Sequence, residues 1–172
     1  MAKASGFSAL NTSFHGNNKS VRELEEAIDF GIGRVIIDSF TEINHLNRVA
    51  SEKGVSQKVL LRVSPSVDAH THRLITTGIL DTKFGFSIET GDAETAVEQA
   101  MASDSLDVAG IHFHLGSQIF DTAPYSEAIP YVIRFCAMMR ERYGLELREL
   151  NSGGGFALGY TAEQLPLPIK TY

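Results

Sequence analysis

The chain has 172 residues, 43% hydrophobic and 21% charged, with a formal net charge of -6. That is enough for one domain with a real core, but it offers no Lys/Arg block to grip a nucleic-acid backbone and no apolar run long enough to span a membrane. Residues 1–10 hold no apolar targeting segment, and the single Cys136 cannot close an internal disulfide, so a cytoplasmic setting is expected.

In chain order, a weak strand is expected at 12–15. Ser20 and Glu23 have capping-box spacing, with Val21, Leu24 and Ile28 following at helical steps and Gly31 where a helix would stop. An apolar strand follows at 34–38. Ser39 and Glu42 repeat the box ahead of Ile43, Leu46 and Val49, with Gly54 as the stop. A second apolar strand covers 59–63, and a long polar stretch comes next. Asp92 is the expected N-cap of a third helix that puts Ala93, Ala96, Val97, Ala100 and Met101 on one face. A strand covers 108–113. A fourth helix carries Ile129, Val132, Cys136, Met139 and Tyr143 on one stripe, so Pro130 must lie in its first turn or kink it. A weak strand at 147–150 precedes a tail containing Pro166 and Pro168.

Strands with little polar alternation suit burial on both faces, and their alternation with helices implies right-handed βαβ units in a parallel α/β sheet. The pattern fits an open doubly wound sheet as well as part of a closed barrel.

Gly153, Gly154 and Gly155 follow the last strand directly. Glycines there let the backbone approach a ligand and turn successive N–H groups toward a phosphate, though a plain tight turn would use them too. Phe156 and Leu158 break the spacing of a dinucleotide-binding loop. His112 and His114, two apart on a strand, face one side. Such a pair could chelate zinc, but no cysteine or nearby carboxylate completes a shell. A ring-and-phosphate ligand suits the following Gly116 and Ser117 better. Asp68, His70 and His72 lie in the long polar stretch, where a solvated loop is the plainer reading. Arg62 and Asp38 are charges within apolar strands, so each needs a partner or a strand end near water. Cys136 reads as core.

Together these segments resemble a known family. Phe14-His15-Gly16-Asn17-Asn18-Lys19-Ser20, Leu61-Arg62-Val63, Asp68-Ala69-His70-Thr71-His72, Thr77-Gly78, Lys83-Phe84-Gly85-Phe86, His112 through Phe120, and Gly153-Gly154-Gly155-Phe156 occur in the order and approximate spacing of diaminopimelate decarboxylases. These belong to the alanine-racemase-like group of pyridoxal 5'-phosphate (PLP) enzymes. The resemblance implies a TIM-type (β/α) barrel, with residues 1–172 forming one domain of about five of the eight βα units. It implies PLP as cofactor, decarboxylation of the amino acid meso-diaminopimelate to L-lysine in lysine synthesis, and a homodimer in the intact family. At matching positions, His114 would stack on the pyridine ring. Ser117 and the amides of Gly153, Gly154 and Gly155 would hold the phosphate. Arg62 and Lys83 would be site neighbours.

Several family segments have no counterpart in these 172 residues. The Tyr-Ala-x-Lys-x-Asn stretch with the Schiff-base lysine is absent, and Lys3 and Lys19 do not match it. The Glu-Pro-Gly-Arg segment and the C-terminal β domain, with its donor cysteine, are absent too. Asn151-Ser152 stands where Asp-Leu or Asp-Ile is usual. No catalytic residue is therefore expected within this chain. By itself it is expected to fold poorly, because open sheet edges invite other pairings, and to show no turnover. The alternatives are another PLP decarboxylase or racemase of the same barrel group, or a non-catalytic relative that binds PLP or a partner.

Overall fold

A computed structural model describes residues 2, 4–65, 84–161, 163 and 165–172. The described elements run β1 (Ser13–Phe14), α1 (Val21–Phe30), β2 (Arg34–Ile37), α2 (Phe40–Glu52), β3 (Gln57–Ser64), β4 (Phe86–Ser87), α3 (Asp92–Met101), β5 (Leu106–His112), α4 (Ala123–Tyr143) and β6 (Glu149–Asn151). One curled sheet has the order β1-β2-β3-β5-β6, and every pairing in it is parallel. β4 adds to the far end of β3, with Val63 beside Phe86. This is the arrangement of part of a TIM-type barrel, so the closed-sheet alternative holds.

The apolar runs of β2, β3 and β5 bury both faces. Val35, Ile37, Val59, Leu61 and Ile111 pack outward against Leu24, Leu46, Val97, Val132 and Met139 of the four helices. Each such side chain contributes roughly 1.5–3 kcal/mol by leaving water. Cys136 is buried on the α4 stripe, as the sequence indicates. Inward, Ile36, Leu60 and Ala109 form a small separate apolar layer. Below it, toward the strand starts, Arg34 pairs with Glu149 at 2.8 Å. Above it lie the polar strand ends that form the site. Gly110 is required where β5 meets β6: a Cβ there would lie 1.9 Å from the Glu149 carbonyl oxygen.

Several expectations shift. Ser20 and Glu23 make the complete box, and Gly31 closes α1 in the left-handed conformation. Ser39 accepts from the Glu42 N–H, but the Glu42 carboxylate does not return to the cap. It turns instead to the Asp38 N–H and the Lys19 ammonium. Asp92 is not the N-cap of α3; Gly91 takes that place and Asp92 is the first helical residue. α4 starts earlier than the stripe suggested, so Pro130 lies inside the helix rather than in its first turn, and Pro124 occupies the start. The strand expected at 147–150 forms at Glu149–Asn151. β4 is too short for any periodic signal.

Candidate active site

In a parallel barrel, side chains at the C-terminal strand ends converge on one face. His15 follows β1, Asp38 follows β2, Arg62 lies near the end of β3, His112 closes β5 and Asn151 closes β6. His15, Arg62, His112, His114, Asn151, Gly153 and Gly154 line a cavity of about 380 Å³.

The two strand charges answer each other. Arg62 Nη1 donates to Asp38 Oδ2 at 2.5 Å, and the pair is largely buried. The other Asp38 oxygen accepts the Gly85 N–H, while the guanidinium lies 4.8 Å above the Phe84 ring. Arg62 is thereby held in a fixed pose at the cavity wall.

The His15 and His112 rings meet edge to face, with centroids 4.5 Å apart. Burial, followed by His15, pushes His112 down to about 4; the Asn151 side chain opposes this, and Arg62 and then His114 add smaller downward contributions. Its Nδ1 makes no hydrogen bond of good geometry among the described residues. His15 is lowered by burial and then by Arg62 and Lys19, and His114 by burial and then by Arg62. Near neutral pH the cavity therefore presents three uncharged imidazoles beside one guanidinium.

The glycine loop lies across this wall. Gly153 has φ +76, and its N–H donates to Asn151 Oδ1 at 2.9 Å. A Cβ on Gly153 would sit 2.7 Å from the Phe113 carbonyl oxygen and 2.8 Å from His114 Nδ1. Gly155 has φ +101, and its Cβ would lie 2.0 Å from the Gly116 oxygen. Gly154 meets nothing within 4 Å. The Tyr125 hydroxyl donates to the Gly154 carbonyl at 2.8 Å, and the Ile119 N–H donates to the Gly155 carbonyl at 2.9 Å. With both carbonyls engaged, the N–H groups of Gly154 and Gly155 have no partner among the described residues.

The structure thus brings His114, Gly153, Gly154 and Arg62 to one cavity. Ser117 is exposed on the loop after β5, and neither Ser117 nor Gly155 lines the cavity. Lys83, Asp68, His70 and His72 lie outside the described residues. Among the described residues no group of three or more His, Cys, Asp and Glu is placed to hold a metal ion. Burial raises the Cys136 thiol to about 11, which suits a core residue. Sequence reasoning passed over His15 and Asn151 as site residues and left Asp38 undecided. The available signal was positional: each strand run ends in a polar side chain, and in a parallel barrel those ends share a face.

The C-terminal face of this parallel barrel segment thus presents three imidazoles, one guanidinium and a glycine loop with two free amides. Over residues 1–172 the sequence matches the family described as pyridoxal-dependent decarboxylase, pyridoxal binding domain, and the chain belongs to that family. The diaminopimelate decarboxylase of Bacillus subtilis (strain 168) is 44% identical over 171 residues, covering 99% of this chain and 39% of that protein. That of Bacillus methanolicus is 42% identical over 171 residues, covering 99% and 40%. Among solved structures, diaminopimelate decarboxylase from M. jannaschii in co-complex with L-lysine superposes with a TM-score of 0.86 at 33% identity, covering 96% of this chain and 38% of that one. Lysine decarboxylase from Selenomonas ruminantium gives 0.76 at 27% identity, covering 91% and 38%. The chain spans about two fifths of the length of these relatives. PLP is the family's cofactor. No described helix is long and apolar enough to cross a membrane.

Proposed function

We propose that the protein carrying these residues is a PLP-dependent carboxy-lyase that converts meso-diaminopimelate to L-lysine and carbon dioxide, and that this chain supplies the cofactor cradle. The observation that carries the reading is the cavity itself, where neutral imidazoles and the unpartnered Gly154 amide sit at the strand ends of a pyridoxal-binding barrel, with the free Gly155 amide next along the loop. Identity over the whole segment to diaminopimelate decarboxylases supports the substrate.

The residues fit the cofactor. An uncharged His114 can lie on a pyridine ring without opposing a proton on the ring nitrogen. The free N–H groups of Gly154 and Gly155, with the Ser117 hydroxyl, would take the phosphate oxygens. Gly153 has a different part: its N–H is held by Asn151, so it shapes the turn that aims the next two amides. Arg62 adds a positive wall for an anionic group, and Lys83 is assigned as a site neighbour through the resemblance alone. Bound there, PLP supplies an electron sink for the electrons left when carbon dioxide departs. The working unit is proposed to be a cytoplasmic homodimer.

The test uses the protein expressed from its complete reading frame. Carbon dioxide release is measured with diaminopimelate, ornithine, arginine and lysine in the presence of PLP. Turnover confined to diaminopimelate supports the reading. Preference for another substrate moves the protein elsewhere in the barrel group. PLP uptake without any turnover identifies a binding relative, and no PLP uptake overturns the cradle.

A further inference from the structure

Lys19 and Glu42 form a buried ion pair outside the cavity. Lys19 Nζ lies 2.6 Å from Glu42 Oε1, with the two side chains 2% and 3% exposed. The same ammonium donates to the carbonyls of Ile36, at 2.8 Å, and Gly16. The ammonium thus makes two hydrogen bonds to backbone carbonyls, and its contact with Glu42 is an ion pair. Glu42 Oε2 accepts the Asp38 N–H at 3.1 Å. Burial pushes the Glu42 carboxyl up, and the Lys19 charge works against that rise.

A buried pair of this kind is a poor source of stability, since desolvation consumes most of the attraction and an apolar pair of similar volume often does as well. What the pair does hold is backbone at the C-terminal ends of two strands. Gly16 follows His15, whose ring lines the cavity and packs on His112. Asp38 carries the carboxylate that fixes Arg62, another lining residue. Glu42 has left its own capping box to make this contact.

We propose that Lys19 and Glu42 are positioning residues for the cofactor cavity, fixing the turn after His15 directly and Arg62 through Asp38. Neither residue lines the cavity. The pair sets where two polar walls of the cavity stand relative to each other. The proposal rests on the cofactor reading above for its consequence, but its geometry can be read without cofactor.

The informative variant is the double replacement Lys19→Met with Glu42→Leu in the protein from the complete reading frame, because it leaves no unpaired buried charge. His114 serves as the cofactor-free reporter. Its charged neighbour is Arg62, and Lys19 does not act on it. The double variant is expected to melt within a few degrees of wild type. Its His114 titration, followed by NMR, should move toward the ordinary histidine value as Arg62 loosens. Its PLP dissociation constant should rise about tenfold, the scale on which groups that orient a ligand's direct partners act. A double variant that folds and keeps both the His114 titration and the PLP affinity of wild type overturns the proposal.

Should the double variant not fold, Glu42→Gln is compared in wild-type and Arg62→Lys backgrounds. Loss of its effect on the His114 titration and on PLP affinity in the second background supports action through Arg62, and fully independent effects overturn it. A wild-type protein that takes up no PLP fails the cofactor reading, and the His114 titration still decides this one.

Discussion

The Tyr125 hydroxyl, in the first turn of α4, donates to the Gly154 carbonyl at 2.8 Å and so ties a helix start to the loop after β6. Its ring lies 5.9 Å from Phe156 and 6.1 Å from Tyr172, whose own hydroxyl donates to the Ile119 carbonyl. The contact keeps the Gly154 oxygen turned toward α4. Tyr125→Phe keeps the ring and loses one hydrogen bond, which costs about 1 kcal/mol of stability. PLP affinity should fall several-fold more than this stability loss suggests. Denaturant unfolding and PLP titration on the same samples check the difference.

The three glycines should not respond alike. Gly154→Ala meets open space and should change stability by no more than about 0.5 kcal/mol. Gly153→Ala and Gly155→Ala combine left-handed backbone with overlaps onto the Phe113 and Gly116 carbonyls. Each should cost about 2 kcal/mol or more. Urea unfolding of the three variants tests the ranking, and a Gly154 variant as damaged as its neighbours would contradict the geometry.

Acid should weaken the fold through His112. Its folded-state value is depressed to about 4 from 6.5, so between those values the unfolded chain binds a proton that the folded chain does not. Its contribution is fully present above about pH 6.5 and is lost as pH falls through 4, a change on the order of 3 kcal/mol. His15 and His114 are lowered as well and act in the same direction. Urea midpoints measured from pH 4 to 7 should rise with pH, and His112→Asn should flatten that rise.

Asp38→Ala strands both the Arg62 guanidinium and the Gly85 N–H. Breaking one side of a largely buried pair should cost about 3–5 kcal/mol. Asp38→Ala with Arg62→Met should recover part of that loss, because no unpaired charge remains. Thermal unfolding of the single and double variants checks the recovery, while PLP binding should stay weak in both.

Much of the fold was legible because its signals are local. The runs in β2, β3 and β5 are buried on both faces and therefore read as unbroken apolar stretches. The box at Ser20 and the stop at Gly31 act within a few residues of themselves. Glu42 left its cap for a buried ammonium, a tertiary partner that the local pattern does not announce. Gly91 took the N-cap ahead of Asp92, and α4 began early enough that, of the two places expected for Pro130, the first turn does not hold. Of the expected site residues, His114, Arg62, Gly153 and Gly154 meet at the candidate cavity, while Gly155 and Ser117 do not line it. His15 was harder to read, because it follows a strand of two residues that carries almost no pattern.

The sequence by itself determined the α/β class and the parallel sheet, since periodicity and caps are properties of neighbours along the chain, and its motif order carried the resemblance to a pyridoxal-binding family. Only the tertiary structure decided that Asp38 is Arg62's partner, that His15 and His112 share a wall, and that Gly153 spends its N–H on Asn151 while the next two amides stay free. Those facts depend on strand register and on the curl that brings separate strand ends together, and residues so far apart in the chain carry no mark of which of them will meet.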